Sequence, residues 1–308
     1  MAVVNFCIGA FRKAFMSDLQ LHHPHKHHPL DLAYAPRLTA LHIDKTMAQW
    51  NAASAASRAT LECDLDVLYG KGSNETLDIF HPKLAKGKRS KGVMIFIHGG
   101  YWRGSDKATN SFVANAICER GYTAILPNYA LCPATTIVGI TQQMLKACAW
   151  VYRNAVSLGS NRDQITISGH SAGGHLTAMM MAAHFELMAN DLPENMLKAG
   201  LSISGLYDLT PHSKAPFLKD DIRLKTPVAV AKVSPITYLK PRATLHTVYG
   251  SLEPSGFADQ DKLVKTVWRD AVRTRKALLG HDHFTILSEL EDAQSELGQL
   301  MGRVLKAS

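Results

Sequence analysis

One stretch of the chain sets a serine between two glycines. An alternating apolar run, Ile165-Thr166-Ile167-Ser168, passes into Gly169-His170-Ser171-Ala172-Gly173-Gly174, and residues 176–184 then read as helix. The pattern predicts a strand, a sharp turn and a helix, with the Ser171 hydroxyl lifted clear at the apex. A nucleophile held in such a turn leaves no room for a Cβ atom two residues to either side, and glycine at 169 and 173 meets that demand. The helix behind the turn aims its unpaired N–H groups at whatever the serine attacks, and the Ala172 N–H is placed to hold a developing oxyanion. Upstream, the apolar run 92–97 reads as a strand buried on both faces and ends in His98-Gly99-Gly100-Tyr101-Trp102. Glycines there let the Gly99 and Gly100 N–H groups turn towards the same point, the second half of an oxyanion hole. The chemistry these residues suit is acyl transfer to an activated hydroxyl.

On these residues the chain resembles the α/β-hydrolase superfamily in its hormone-sensitive-lipase-like branch, and within it the kynurenine formamidase (arylformamidase) group. The motifs that carry the resemblance are the His98 to Trp102 loop, the run from Gly169 to Leu176, Ser204-Gly205-Leu206-Tyr207-Asp208-Leu209, Ser234-Pro235-Ile236 and Asp282-His283-Phe284. The resemblance implies an α/β-hydrolase fold, a mostly parallel eight-stranded sheet with helices on both faces. It also implies a serine hydrolase acting through an acyl-enzyme on an aryl formamide such as N-formylkynurenine, a step of tryptophan catabolism. Two other functions are carried beside it: a general carboxylesterase for short acyl esters, and a catalytically silent ligand-binding relative.

A serine needs a base and an orienting acid, in the chain order Ser, acid, His that this superfamily uses. His283, in a late loop before the last helix, is the expected base, with His281 in reserve. The acid is expected just past the strand at 244–249, which selects Glu253; Asp259 and Asp208 remain alternatives, with capping roles as their plainer reading. His98 and His170 read as loop braces, and His175 and His184 as packing or surface residues. Tyr101 and Trp102 either stack on an aromatic leaving group, as the resemblance implies for a substrate-binding role, or pack the loop against the next helix. Phe217, Phe257 and Phe284 are candidates for an apolar wall. None of these histidines has a partner spacing that argues for a metal, although the histidine tract at 22–28 is of a kind that can catch divalent ions, and the chemistry calls for no cofactor.

The elements that must position these groups alternate. Strands are expected at 61–68, 76–80, 92–97, 122–126, the run before Ser171, 199–203 and 244–249. Helices are expected at 36–58, 108–120, 135–157 and 288–305. Residues 273–279 are too basic to read as a convincing last strand. The pattern is that of a parallel sheet covered on both faces, with functional groups at the carboxyl ends of the strands. A chain of 308 residues that is 46% hydrophobic suits one domain over 36–308 with a large core. Residues 1–35 read as a flexible arm because His22-His23-Pro24-His25-Lys26-His27-His28-Pro29 is polar and proline-broken. By resemblance, the helical segment that follows lies near the active-site mouth.

No apolar run approaches the roughly 20 residues of a membrane helix. At the N-terminus Arg12 and Lys13 follow the apolar stretch instead of preceding it, so no secretion signal is expected, and Met16 is a candidate start. Five cysteines without a C-x-x-C pair suit a reducing compartment, and a cytoplasmic location is expected. The net charge of +8 is spread between Lys86-Gly87-Lys88-Arg89-Ser90-Lys91 and residues 269–276, neither interleaved with aromatics. The expected partner is a small-molecule substrate, with no nucleic acid and no membrane; a homodimer is left open.

Overall fold

The computed structural model describes residues 27–307. Its strands are β1 (Cys63–Leu68), β2 (Thr76–Phe80), β3 (Val93–Ile97), β4 (Thr123–Pro127), β5 (Ile165–His170), β6 (Leu197–Ile203), β7 (Thr244–Gly250) and β8 (Val272–Leu278). They form one eight-stranded sheet in the order β1-β2-β4-β3-β5-β6-β7-β8. Strand β2 runs antiparallel to both of its neighbours, and every pairing from β4 to β8 is parallel. Helices α1 (Pro29–Tyr34), α2 (Ile43–Thr60), α3 (Val113–Cys118), α4 (Ile137–Asn154) and α5 (Ala172–Met181) are followed by the short α6 (Lys219–Ile222) and α7 (Pro227–Ala231). Then come α8 (Ser255–Trp268) and α9 (Glu296–Leu305).

The all-apolar strand β3 shows why both faces must be covered. Val93, Ile95 and Ile97 pack with α4, α5 and α8 on one side, while Met94 and Phe96 pack with α3, α9 and Trp50 of α2 on the other. Helix α9 has 10 residues, too few to be stable alone, and is held by Leu297, Leu300, Met301 and Val304 on one face and by the Ser295 side chain accepting from the Gly298 N–H. Cys118 and Cys148 pack as small apolar groups in α3 and α4, and burial pushes both thiols up to about 12. Among the described residues, no helix is long and apolar enough to cross a membrane.

Several expectations are corrected. Residues 273–279 lie largely in a strand after all: β8 pairs with β7 at the edge of the sheet, with Val272 and Leu278 buried and Arg273 and Lys276 turned to solvent. Charge on an edge strand blocks pairing with other chains, which is why a basic run can be strand there. The helix expected over 36–58 divides into a 3-10 turn, Pro36–Leu38, and α2, with His42 in the left-handed region (φ 57°) at the break. The segment 108–120 likewise splits into a 3-10 turn, Lys107–Asn110, and α3, and the segment 288–305 into a 3-10 turn, Thr285–Glu291, and α9. The expected arm lies outside the described residues through position 26, but its last part does not behave as one. Residues 29–34 form α1, and Tyr34 is buried beside Phe257 of α8.

The close contact that the serine turn requires is visible at its glycines. A Cβ on Gly173 would lie 2.0 Å from the Ile97 carbonyl oxygen, and one on Gly169 would lie 2.3 Å from the Gly173 carbonyl oxygen. Both obstacles are backbone and cannot rotate away. Gly173→Ala is therefore expected to cost about 2 kcal/mol or more in stability by overpacking, read as a lowered urea midpoint. An unchanged midpoint would contradict this account of the turn.

Candidate active site

Ser171 sits at the joint between β5 and α5 with φ 57° and ψ −118°, a conformation that costs on the order of 1–3 kcal/mol for a residue with a Cβ. The surroundings impose it. Its N–H donates to the Ile203 carbonyl at 2.8 Å, and the Gly169 and Gly173 contacts fix the chain on either side. The helix begins at Ala172, earlier than the expected residue 176, so the Ala172 N–H is in the first turn of α5, where N–H groups have no partner within the helix.

The loop after β8 brings His283 to this point. Its Nε2 lies 2.9 Å from Ser171 Oγ, and its Nδ1 lies 2.7 Å from Glu253 Oε2. A carboxylate accepts only, so Nδ1 carries the proton and Nε2 is left free to accept from the serine hydroxyl. Glu253 itself is buried, and its other oxygen accepts from Ser204 Oγ and from the Gly250 N–H, each at 2.6 Å. Three donors thus replace the water this carboxylate gives up. The loop is held from below: Asp282 Oδ1 accepts from the N–H groups of Phe284 (2.9 Å) and Thr285 (2.8 Å), and His170 Nε2–H donates to the His283 carbonyl at 2.8 Å. The Phe257 ring stands 4.6 Å from the His283 ring and closes that side.

The other candidates for base and acid go elsewhere. His281 Nε2 pairs with Glu289 at 2.9 Å. Asp259 is exposed on α8, past its first turn, and Asp208 Oδ1 accepts from the Thr210 N–H at 2.8 Å, the turn-capping role. Neither carboxylate reaches His283.

The loop after β3 stands against the serine. A Cβ on Gly99 would lie 2.8 Å from the His170 carbonyl oxygen and 3.1 Å from Ser171 Cβ, so glycine alone fits there. Gly100 has φ 102°, and Tyr101 and Trp102 follow at 50° and 58°, a left-handed turn that sends successive rings in different directions. Tyr101 lines the cavity beside Ser171, packs edge-on against Phe217 at 5.3 Å, and donates its hydroxyl to the Tyr34 carbonyl. Trp102 departs from the substrate-binding expectation. It is fully buried and lines no part of the cavity, its Nε1–H donating to His175 Nδ1 at 3.2 Å. His175 passes the constraint on, donating Nε2–H to the Val233 carbonyl at 2.7 Å. His98 braces the same loop through Asn128 Oδ1 (3.0 Å) and a stack on Tyr129 (4.2 Å).

The serine opens into a cavity of about 450 Å³. Its walls include Gly99, Gly100, Tyr101, Ser171, His283, Phe217 and Phe284, but also Ala35, Pro36, Arg37, Met47, Trp50 and Asn51 from the N-terminal segment. Phe257, the third expected wall residue, lies behind His283 instead. Trp50, Arg37, Arg103 and Ser204 are site residues that the sequence reading did not single out. Ser204 lies in the Ser-Gly pair closing β6, a signal within the motif that was read only for Asp208.

A family profile described as BD-FAE matches residues 77–251, more than half of the chain. The chain belongs to the BD-FAE family. The match holds the Gly99 loop and Ser171, whereas Glu253 and His283 lie beyond it. This family member is 30% identical over 227 residues to the esterase LipQ of Mycobacterium tuberculosis, covering 67% of this chain and 52% of the relative; it thus spans about half of LipQ's length. It is 24% identical over 247 residues to kynurenine formamidase of Drosophila melanogaster, covering 77% of this chain and 79% of that one. Among solved structures, one from Silicibacter sp. TM1040, provisionally designated a thioesterase, superposes with a TM-score of 0.78 at 27% identity over 89% of this chain and 99% of that one. Fold and relatives together identify an α/β-hydrolase of the hormone-sensitive-lipase-like branch, with kynurenine formamidases among its relatives.

Buried histidines around this BD-FAE site, and His246 on β7 away from it, are held neutral. Burial lowers His175 from 6.5 to about 4, His246 to about 4 and His212 to about 3, and it also lowers His98 and His170, the latter aided by the neighbouring His283. A folded value below the unfolded one means that unfolding takes up protons. The stability these rings contribute is therefore complete above about pH 6.5 and is lost as pH falls towards 4. Urea midpoints are expected to fall steeply across that window; a flat midpoint between pH 7 and 4 would refute it.

Proposed function

We propose that this protein is a serine hydrolase that cleaves a small aryl formamide or ester through an acyl-enzyme on Ser171. The observation that carries the reading is the unbroken chain of hydrogen bonds from Ser171 Oγ to His283 Nε2 (2.9 Å) and from His283 Nδ1 to Glu253 (2.7 Å). In this reading His283 Nε2 takes the hydroxyl proton as Oγ attacks the carbonyl carbon. The N–H groups of Gly99, Gly100 and Ala172 hold the oxyanion of the tetrahedral intermediate. Collapse breaks the bond to the leaving amine or alcohol, which receives the proton from His283. Water, deprotonated by the same nitrogen, then attacks the acyl-enzyme and releases formate or another carboxylic acid, restoring Ser171. Glu253 keeps Nδ1 protonated throughout and stabilises the imidazolium.

Aryl formamides come first because the cavity presents Tyr101, Trp50, Phe217 and Phe284 to a bound ring, and because the kynurenine formamidase of Drosophila melanogaster aligns over 79% of its own length. A short-acyl carboxylesterase is the second reading, supported by the likeness to LipQ. The ratio of kcat/KM for N-formylkynurenine to that for 4-nitrophenyl acetate decides between them.

Ser171→Ala is expected to abolish hydrolysis and fluorophosphonate labelling while leaving the fold intact; retained turnover would sink the assignment. Glu253→Gln is expected to lower kcat by roughly a thousandfold or more, because the amide can present the wrong group to Nδ1. Ser204→Ala removes one of the donors on Glu253 and is expected to lower kcat by about tenfold with KM little changed, with partial rescue in Ser204→Thr. Steady-state kinetics on the three variants would check both effects, and a KM effect alone for Ser204→Ala would contradict its role through Glu253.

A further inference from the structure

A second cavity, of about 380 Å³, lies at the opposite edge of the sheet from Ser171. Its lining includes Leu197 and Lys198 at the start of β6, Thr244 at the start of β7, and Met180 to Phe185 at the end of α5. Because β5 and β6 run parallel, with Ile165 beside Leu197 and His170 beside Ile203, it is about 20 Å from the serine, the length of a six-residue strand. Its size falls in the range of small-molecule sites, roughly 300–1,000 Å³.

The walls are mainly aliphatic and adaptable. Met180, Met181, Phe185 and Leu197 are buried there, and Met181 folds so closely over β6 that a Cβ on Gly200 would lie 2.8 Å from its Cγ. Methionine side chains re-pack readily around a flexible chain. Leu239 stands at the rim 77% exposed, an apolar group that a bound alkyl chain would shield from water.

The lining cations are not equivalent. Lys240 pairs with Asp270 at 2.7 Å, Arg242 with Glu194, and His184 Nδ1 with Glu186 at 3.0 Å. Glu194 is the single acid in the lining, and Arg242 engages it. Lys198 is half-buried and, among the described residues, has neither an ion pair nor a side-chain hydrogen bond. The Asn195 amide and the Thr244 hydroxyl line the same cavity, and among the described residues their side chains make no hydrogen bond either. The carbonyl pole of α5 lies in the same wall; it favours a lysine nearby but opposes more than one added negative charge. A half-buried ammonium with two neutral donors, set beside an aliphatic wall, is matched by one carboxylate on an alkyl chain.

We propose that this cavity binds a straight-chain carboxylate, with Lys198 pairing with the head group and Met180, Met181 and Leu239 holding the chain. The site is separate from the serine and does not depend on its chemistry.

The test is an NMR titration of the full chain, isotope-labelled at the methionine methyl groups, with octanoate, octanamide and octyl phosphate as probes. Met180→Leu and Met181→Leu assign the two signals in this cavity, and Met47, which lines the cavity of Ser171, reports binding there instead. Octanoate is expected to shift the Met180 and Met181 signals saturably at millimolar concentration and to bind roughly tenfold more tightly than octanamide. Lys198→Gln is expected to bring that ratio to about one and Lys198→Arg to retain it. Because both compounds are measured on one preparation, the ratio does not depend on the folded fraction of a variant. No shift at Met180 and Met181, shifts confined to Met47, equal binding of octanoate and octanamide, or an unchanged ratio in Lys198→Gln overturns the proposal. Octyl phosphate binding more tightly than octanoate overturns the assignment of the head group as a carboxylate.

Discussion

A steric constraint at one backbone crossing governs this structure. Where β5 turns into α5, the chain passes so close to the end of β3 that a Cβ on Gly173 would lie 2.0 Å from the Ile97 carbonyl oxygen. Glycine is the residue that permits it, and the cost appears at Ser171, the one residue in the turn that needs a side chain and must adopt a positive φ to present it. The rest of the molecule holds that strain in place. Hydrogen bonding of β5 to β3 and β6 on either side, and burial of the whole of α5, mean that relaxing Ser171 would pull apart the centre of the sheet. The strain is therefore stored where most packing energy is available to oppose it.

The buried carboxylate poses the second problem, and the solution sets the length of the side chain at 253. A desolvated carboxylate is tolerated only when its lone pairs are used, and Glu253 reaches back over the loop that follows β7 to meet its donors. Glu253 lies three residues past Gly250, and its side chain folds back onto that residue's N–H. Ser204 completes the set from the end of β6, with its own φ of 51° turning the hydroxyl towards the carboxylate. The orientation of His283 thus depends on two strand ends and not only on its own loop.

The central elements were legible from sequence because they obey local rules. The all-apolar β3, the turn at Ser171 and the capped helix α4 each state their conformation within a few residues, as Thr136 does by accepting the Gly139 N–H at the start of α4. The motif spacing located Ser171, Gly99 and His283 in the chain, and coordinates brought them together as side chains in contact. What escaped was decided by long-range context. Residues 273–279 read as too basic for a strand, whereas β8, at the edge of the sheet, has only its two ends, Val272 and Leu278, buried. Tyr101 and Trp102 are read together, as stacking on substrate or packing the loop; two consecutive left-handed residues separate their fates, and nothing in the residue types announces that turn. Helix α1 escaped because its stability comes from Tyr34 packing beside Phe257, far away in sequence.

Selectivity has a different physical origin from reactivity in such a site. The serine, the histidine and the carboxylate sit on the sheet, where every neighbour is constrained and no freedom remains to vary shape. The groups that meet the remainder of a bound molecule lie instead on peripheral segments: Trp50 on α2, Arg37 on the turn before it, and Phe217 on the stretch leading to α6. These segments are tied to the body of the protein at separate points: the Tyr34 carbonyl accepts from the Tyr101 hydroxyl, Arg58 of α2 pairs with Asp78 of β2 at 2.9 Å, and Trp50 packs with Met94 and Phe96 of β3. A reactive floor under a wall drawn from separate peripheral segments lets one scaffold serve different acyl compounds, and in this chain the wall is aromatic with a cationic rim.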